Sequence, residues 1–200
     1  MLLREVVSST VVEAITSKPC IVVDVQPSYK SHADQVAGKI MKFLNQQTGL
    51  ILMFMNAEET GITDDTEDDV AFYWEENGFD PNNWQRVIPV DKGFGYFRSW
   101  MDNDISDATI IKVIRALYQA KVTSSWDLDL DQLKQLVGSE WQEWMKQDPI
   151  SVEWTSVARL KRFNGAYIMG GGRAECLREV ELLMNAFNIK YRRIDSLVYG

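Results

Sequence analysis

Short, almost wholly apolar runs alternate with longer amphipathic stretches along this chain, and that alternation most constrains its fold. The first run, CIVVDV at 20–25, is rich in β-branched residues, as expected of a buried strand. Comparable runs follow at 50–55, 86–90, 165–169 and 189–194. Because helical stretches separate them, the pattern predicts an α/β protein, a three-layer α/β/α fold with a mostly parallel, Rossmann-like central sheet.

The stretches between these runs have the spacing of amphipathic helices. Segment 31–47 places Val36, Ile40 and Leu44 on one face, and Gly49 follows as a stop signal. Thr66 with Asp69 resembles a capping box and predicts that a helix begins there. Further helices are predicted over 106–120, 129–137, 139–146 and 174–188.

Length and composition limit the classes of protein to consider. The chain has 200 residues, of which 46% are hydrophobic and 25% charged, which excludes disordered, collagen-like and coiled-coil chains. We expect one domain over 1–200, with a helical insert around 103–164. The net charge of −8 argues against binding nucleic acid through its phosphates.

No apolar run is long enough to cross a bilayer, so no membrane partner is expected. Charges at Arg4, Glu5 and Glu13 interrupt the first segment, which therefore does not look like a secretory signal. We expect a cytoplasmic protein. Two cysteines cannot form a disulfide scaffold, and one histidine is too few for a His-based metal site.

Three reactive side chains follow the ends of predicted strands. Asp24 closes the first strand, Lys92 follows the third, and Cys176 follows the fourth after three glycines, in the first turn of a helix. Ligands of open parallel sheets bind at this edge, and a helix N-terminus favours a thiolate. Each also has a structural explanation: a loop cap, a solvated lysine, a small buried hydrophobe. Cys20 lies at the opposite end of its strand, roughly 20 Å away, and should not pair with Cys176.

The segments around these residues resemble three motifs of the isochorismatase-like (cysteine hydrolase) superfamily. VVDVQPSY is similar to its first motif, DKGFGYF to its second, and GGGRAECL to its third, in the same order along the chain. The resemblance implies that Asp24 is a general base, that Lys92 holds the thiolate, and that Cys176 attacks a carbonyl carbon. It also implies an oxyanion loop at Gly171 and Gly172, with a cis peptide bond between them.

We expect a substrate site without a cofactor, to which Gln26, Phe94 and Phe97 are assigned. Arg173 lies beside the expected nucleophile in the sequence, where an arginine can clamp a carboxylate or phosphate; Arg98 is a second candidate clamp. Some relatives hold a metal after the second strand with an Asp and several His. This chain has NAEE at 56–59 instead, so neither that metal nor nicotinamide is expected. Relatives are often dimers or tetramers, which implies a homo-oligomer.

The first interpretation is a cysteine-dependent hydrolase of a small, possibly anionic amide or related C–N substrate. A second is an inactive binding or assembly protein on the same fold. It is favoured by the long spacing of 84 positions from Lys92 to Cys176, whose excess length carries Trp126, Trp141, Trp144 and Trp154. A third is a carboxylate-metal phosphoesterase or nuclease, which would use the acidic run at 64–69 with Asp24, Glu58 and Glu59. The simplest explanation of that run is a solvated helix start.

Overall fold

A five-stranded, all-parallel sheet forms the centre of the protein, in a computed structural model that describes residues 17–55, 63–91 and 95–200. Its strands are β1 (Cys20–Val23), β2 (Ile51–Met55), β3 (Val87–Asp91), β6 (Ala166–Gly170) and β7 (Tyr191–Arg193), in the order β3-β2-β1-β6-β7. A small antiparallel pair, β4 (Gly95–Tyr96) and β5 (Ser151–Val152), lies apart from it. The predicted parallel sheet is confirmed, strand for strand.

Helices cover both faces of the sheet, which completes the predicted three-layer α/β/α architecture. They are α1 (Lys30–Ala33), α2 (Ala37–Asn45), α3 (Glu67–Glu76), α4 (Arg98–Asp102), α5 (Asp107–Ala120), α6 (Leu130–Val137), α7 (Trp154–Lys161) and α8 (Cys176–Ala186). No helix in the described ranges has the length and apolar character needed to cross a bilayer.

Alternating side chains of the strands pack into two separate hydrophobic cores, one on each face of the sheet. Ile21, Val23 and Phe54 point to the face covered by α4 to α8, where they join Trp100 and the apolar sides of those helices. The intervening strand residues, such as Val22, belong to the core under α1, α2 and α3. Both faces of each central strand are therefore buried, which is why these strands read as continuous apolar runs.

Several boundaries differ from the sequence prediction for local reasons. β1 ends at Val23, not at 25, because Asp24 turns into the left-handed region with φ 49°. The helix predicted over 31–47 is divided by a turn into α1 and α2. The helix predicted over 139–146 is replaced by two short 3₁₀ turns, since Gly138 with φ +65° ends α6. The capping box is present: Thr66 Oγ1 accepts from the Asp69 N–H, and Asp69 accepts from the Thr66 N–H.

The segment predicted as a helical insert contains α5, α6, α7 and β5. Its buried residues, including Ile114, Leu133 and Leu160, lie in the same core cluster as the strands. Trp100 donates its indole N–H to the Asp148 carbonyl, 2.8 Å away, and so ties α4 to this segment. The segment is thus a packed part of one helical layer, and it contributes to the core beneath the edge where the strands end.

Candidate active site

The strand order changes direction between β1 and β6, and the candidate site lies at that point. From β1 the chain continues outward to β2 and β3, then returns to the other side of β1 as β6 and continues to β7. The carboxyl ends of β1 and β6 therefore border a crevice of the kind where open α/β sheets bind ligands. Asp24 follows β1 directly, and the segment 171–176 follows β6. The sheet thus brings two of the three predicted catalytic residues to one edge.

Asp24 is fully buried and held by its backbone on both sides. Its N–H donates to the Phe54 carbonyl at 2.9 Å, and its carbonyl accepts the Tyr199 hydroxyl at 2.8 Å. Its φ of 49° is uncommon for a residue with a side chain, and such conformations concentrate at functional sites. Burying a carboxylate in a left-handed turn at the end of a central strand costs free energy. A role as a loop cap alone does not explain that cost.

The glycines after β6 bring the two strand ends into close contact. Val23 is paired with Gly170, and the Gly171 N–H donates to the Val23 carbonyl at 2.6 Å. Gly170 and Gly171 have φ of +78° and +55°, the left-handed region that favours glycine. The predicted cis bond between Gly171 and Gly172 is wrong: no peptide bond is cis in the described ranges. Two successive left-handed glycines turn the chain with trans bonds.

The predicted oxyanion loop is only partly available. The Gly171 N–H is engaged with Val23, and the Gly172 carbonyl accepts the N–H groups of Glu175 at 3.0 Å and Leu177 at 3.2 Å. These bonds fix the turn that leads into α8. Stabilisation of an oxyanion by the Gly172 N–H and the start of α8 therefore stays a prediction.

Cys176 is the first residue of α8, a helix of 11 residues, and its side chain is partly exposed. The helix dipole and the N-terminal amides favour negative charge at this position. Cys20, by contrast, is fully buried at the other end of β1, and burial raises the pKa of its thiol to about 12 despite Arg86 nearby. Both cysteines are free thiols, as predicted. Cys176 is thus a partly exposed thiol at a helix N-terminus, whereas Cys20 is a buried thiol with a raised pKa.

Arg98, the first residue of α4, reaches the first turn of α8 and contacts three acceptors there. Its Nη2 lies 3.5 Å from the Cys176 sulfur, its Nε 3.1 Å from Glu179 Oε1, and its Nη1 3.4 Å from Glu175 Oε2. Burial on its own lowers the pKa of Arg98, but the Glu179 carboxylate and the Cys176 sulfur outweigh it and raise that pKa overall. The guanidinium therefore stays charged beside the sulfur.

The other predicted substrate residues have structural partners. Arg173 forms an ion pair with Asp195, with Nη1 and Oδ1 3.1 Å apart. Gln26 is buried and donates to Asp65 Oδ2 at 2.6 Å. Phe97 lies in the core beneath α4 to α8. Lys92 and Phe94 fall outside the described residues, so their roles, like the substrate contacts of the other three, stay predictions.

The acidic run is engaged in local structure. Asp65 also accepts the Ser28 N–H at 3.0 Å, and Asp69 completes the capping box of α3. No group of three His, Cys, Asp or Glu side chains suited to a metal occurs among the residues that the structure describes. Glu58 and Glu59, which the carboxylate-metal hypothesis needs, lie outside those residues.

Two residues of the site were not identified from the sequence. Tyr199 stacks on His32, with the ring centroids 6.2 Å apart, and its hydroxyl donates to the Asp24 carbonyl. The two residues are 175 positions apart in the chain, so only the fold brings them together. Glu179 carried a usable signal, because it falls on the buried side of α8, one turn after Cys176. An acid at a core-facing helical position indicates a buried partner, and here that partner is Arg98.

A cavity of about 260 Å³ lies beside the loop that precedes Cys176. It is lined by His32, Gly172, Arg173, Ala174, Glu175, Tyr199 and Gly200. The loop therefore runs along the cavity and ends at the Cys176 thiol. The cavity volume is near the lower limit for sites that bind small molecules.

Comparison with known protein families, with curated proteins and with solved structures finds no match to this chain.

Proposed function

We propose that this protein is a cysteine-dependent hydrolase of a small amide or related C–N substrate, with Cys176 as the nucleophile and Asp24 as the general base. The observation that carries the proposal is that Asp24 directly follows β1 and the segment leading to Cys176 follows β6, the two neighbouring strands between which the strand order reverses. The contact between Arg98 and the Cys176 sulfur supports it, because a cation at that distance favours the thiolate, which is the nucleophilic form.

In the proposed reaction Asp24 takes the proton of the Cys176 thiol. The thiolate forms a C–S bond to the substrate carbonyl carbon, and the carbonyl oxygen becomes an oxyanion. The C–N bond then breaks, and the leaving amine receives the proton from Asp24. Water, deprotonated by Asp24, attacks the thioester; the C–S bond breaks and the carboxylic acid leaves. The Asp24 proton returns to the sulfur, so the enzyme is unchanged.

Lys92 enters this mechanism through the motif resemblance. The motif assigns it to the thiolate, and strand β3, which ends at Asp91, is one of the parallel strands of the same edge. A second cation there would add to the effect of Arg98 on the sulfur.

The charges around the sulfur limit the substrates that fit this proposal. Glu175 and Glu179 share the single guanidinium of Arg98, and Asp24 adds a third carboxyl group at the edge. These groups oppose a bound anion directly beside the sulfur. An anionic group of the substrate is better placed at Arg173, which lines the 260 Å³ cavity, where it would compete with Asp195 for the guanidinium and would have to avoid Glu175.

The test is a screen of small amides, ureido compounds and activated esters, with acyl adducts detected by intact-protein and peptide mass spectrometry. We expect at least one class to be hydrolysed with a transient acyl group on Cys176 and none on Cys20. Hydrolysis that proceeds unchanged in Cys176→Ala, or that chelators abolish, would contradict the proposal and favour a metal hydrolase.

A further inference from the structure

The Arg98–Glu179 ion pair lies against the candidate nucleophile, and nothing in the three motifs assigns a role to either residue. Arg98 belongs to α4, whereas Glu179 is one turn below Cys176 on α8. The Glu179 side chain is 7% exposed and that of Arg98 is 33% exposed. The pair therefore connects two helices at a largely buried point, directly beside a thiol that solvent reaches in part.

The burial of Glu179 fixes the orientation of the Arg98 guanidinium. A carboxylate with so little exposure requires a charged or hydrogen-bonding partner, and Glu179 has the Arg98 Nε at 3.1 Å. That contact leaves the two Nη atoms to face outward, one toward the Cys176 sulfur and one toward Glu175. Because the guanidinium is planar and rigid, fixing Nε on Glu179 also fixes the position of Nη2 relative to the sulfur.

We propose that Arg98, anchored by Glu179, is a positioning residue that favours the anionic form of the Cys176 sulfur when Asp24 takes the thiol proton, and that keeps this sulfur aligned at the start of α8. The proposal rests on the proposed function, since it assigns Arg98 to the activation of that nucleophile. It also separates Arg98 from Arg173: Arg98 acts on the enzyme's own sulfur, whereas Arg173 faces Asp195 and the cavity.

The groups that face this sulfur set the sign of the effect. Arg98 contributes a positive charge from α4, while Glu175, directly before α8, and Glu179, within α8, contribute negative charge. Asp24 is the titratable group at the end of the neighbouring strand β1, and Lys92 follows β3. The Arg98 guanidinium places its positive charge close to this sulfur, with Nη2 at 3.5 Å. Removing it leaves carboxylates that oppose the thiolate.

The experiment measures the alkylation rate of Cys176 by iodoacetamide as a function of pH in the full chain. Arg98→Met removes the charge and keeps an apolar stem of similar length. Arg178→Met is the matched control, because Arg178 lies two residues from Cys176 on the same helix but pairs with Asp107. We expect the apparent pKa of Cys176 to rise by about one unit or more in Arg98→Met, which lowers the thiolate fraction at neutral pH by up to about tenfold for each unit. The control should stay within a few tenths of a unit.

Two further variants test the anchoring and guard against misfolding. Arg98→Lys keeps the charge but loses the rigid fork, so we expect an intermediate shift. Glu179→Gln gives opposite results under two explanations. If Glu179 only adds negative charge, its loss lowers the apparent pKa of Cys176; if it holds Arg98 in place, its loss raises that pKa. A fall in Glu179→Gln, or equal profiles for Arg98→Met and Arg178→Met, would overturn the proposal.

These results separate this inference from the proposed function. If the chain hydrolyses a substrate through Cys176 but Arg98→Met leaves the pH profile unchanged, the proposed function stands and the positioning role fails. If the pH profile shifts as expected but no C–N or ester substrate acylates Cys176, the positioning role stands and the hydrolase proposal fails.

Discussion

Replacing Cys176 by alanine is expected to abolish hydrolysis of whichever substrate class acylates the protein, with a loss of about 10³-fold or more. The covalent route needs the sulfur, and no other thiol can substitute, because Cys20 is buried at the far end of β1. Asp24→Asn keeps the size of the side chain but cannot accept the thiol proton. We expect it to lower kcat by about 10² to 10⁴-fold.

Cys20→Ala is the control for this pair of variants. It removes the second sulfur from the core under α1 to α3 and should cost some stability, while kcat stays within about twofold of the parent. Comparable losses of activity in Cys20→Ala and Cys176→Ala would show that both substitutions lower activity by destabilising the fold, not by removing a nucleophile. Full activity in Cys176→Ala would end the account of this residue as a nucleophile.

A large effect on stability is expected from Gly170→Ala, which should lower the free energy of unfolding by about 3 kcal/mol or more. Gly170 has φ +78°, and an added Cβ would overlap the Val23 carbonyl oxygen and lie 2.7 Å from Val25 Cγ2. The first of these atoms belongs to the backbone of a central strand and cannot move aside cheaply. The strain of a left-handed alanine adds about 1–2 kcal/mol.

Gly165→Ala is a matched control at the other end of the same strand. Its φ is +86°, but a Cβ there meets nothing within 4 Å, so only the conformational cost of about 1–2 kcal/mol should appear. Urea unfolding followed by tryptophan fluorescence measures both. Equal losses for the two variants would mean that β1 and β6 do not approach each other as closely as the structure places them. The shared edge for Asp24 and Cys176 would then lose its support.

The sequence predicted the sheet well because its central strands are buried on both faces. Such strands are continuous apolar runs, and helical spacing between them leaves few alternatives to a parallel α/β fold. What it missed depends on contacts far apart in the chain. The end of β1 at Asp24 is fixed partly by the Tyr199 hydroxyl, and the turn that divides α1 from α2 buries Val36 in the core.

The site was predictable to the extent that it follows strand ends. Asp24 and Cys176 were placed by counting from apolar runs, and both lie where the sheet requires. The choice between two arginines was not predictable. Arg173 is closer to Cys176 in sequence, but Asp195, just after β7, engages it, while Arg98 reaches the sulfur from α4. That outcome depends on how α4 packs on α8, which no local pattern encodes.

The most direct test of the account is the pH dependence of iodoacetamide alkylation at Cys176, with Cys20 as an internal standard in the same molecule. The account predicts an apparent pKa for Cys176 well below the value of about 8.5 for a free thiol. Cys20, whose pKa burial raises to about 12, should stay unmodified in the folded protein. A Cys176 that titrates like a free thiol, or that reacts no faster than Cys20, would contradict the assembled nucleophile and favour a binding protein on this fold.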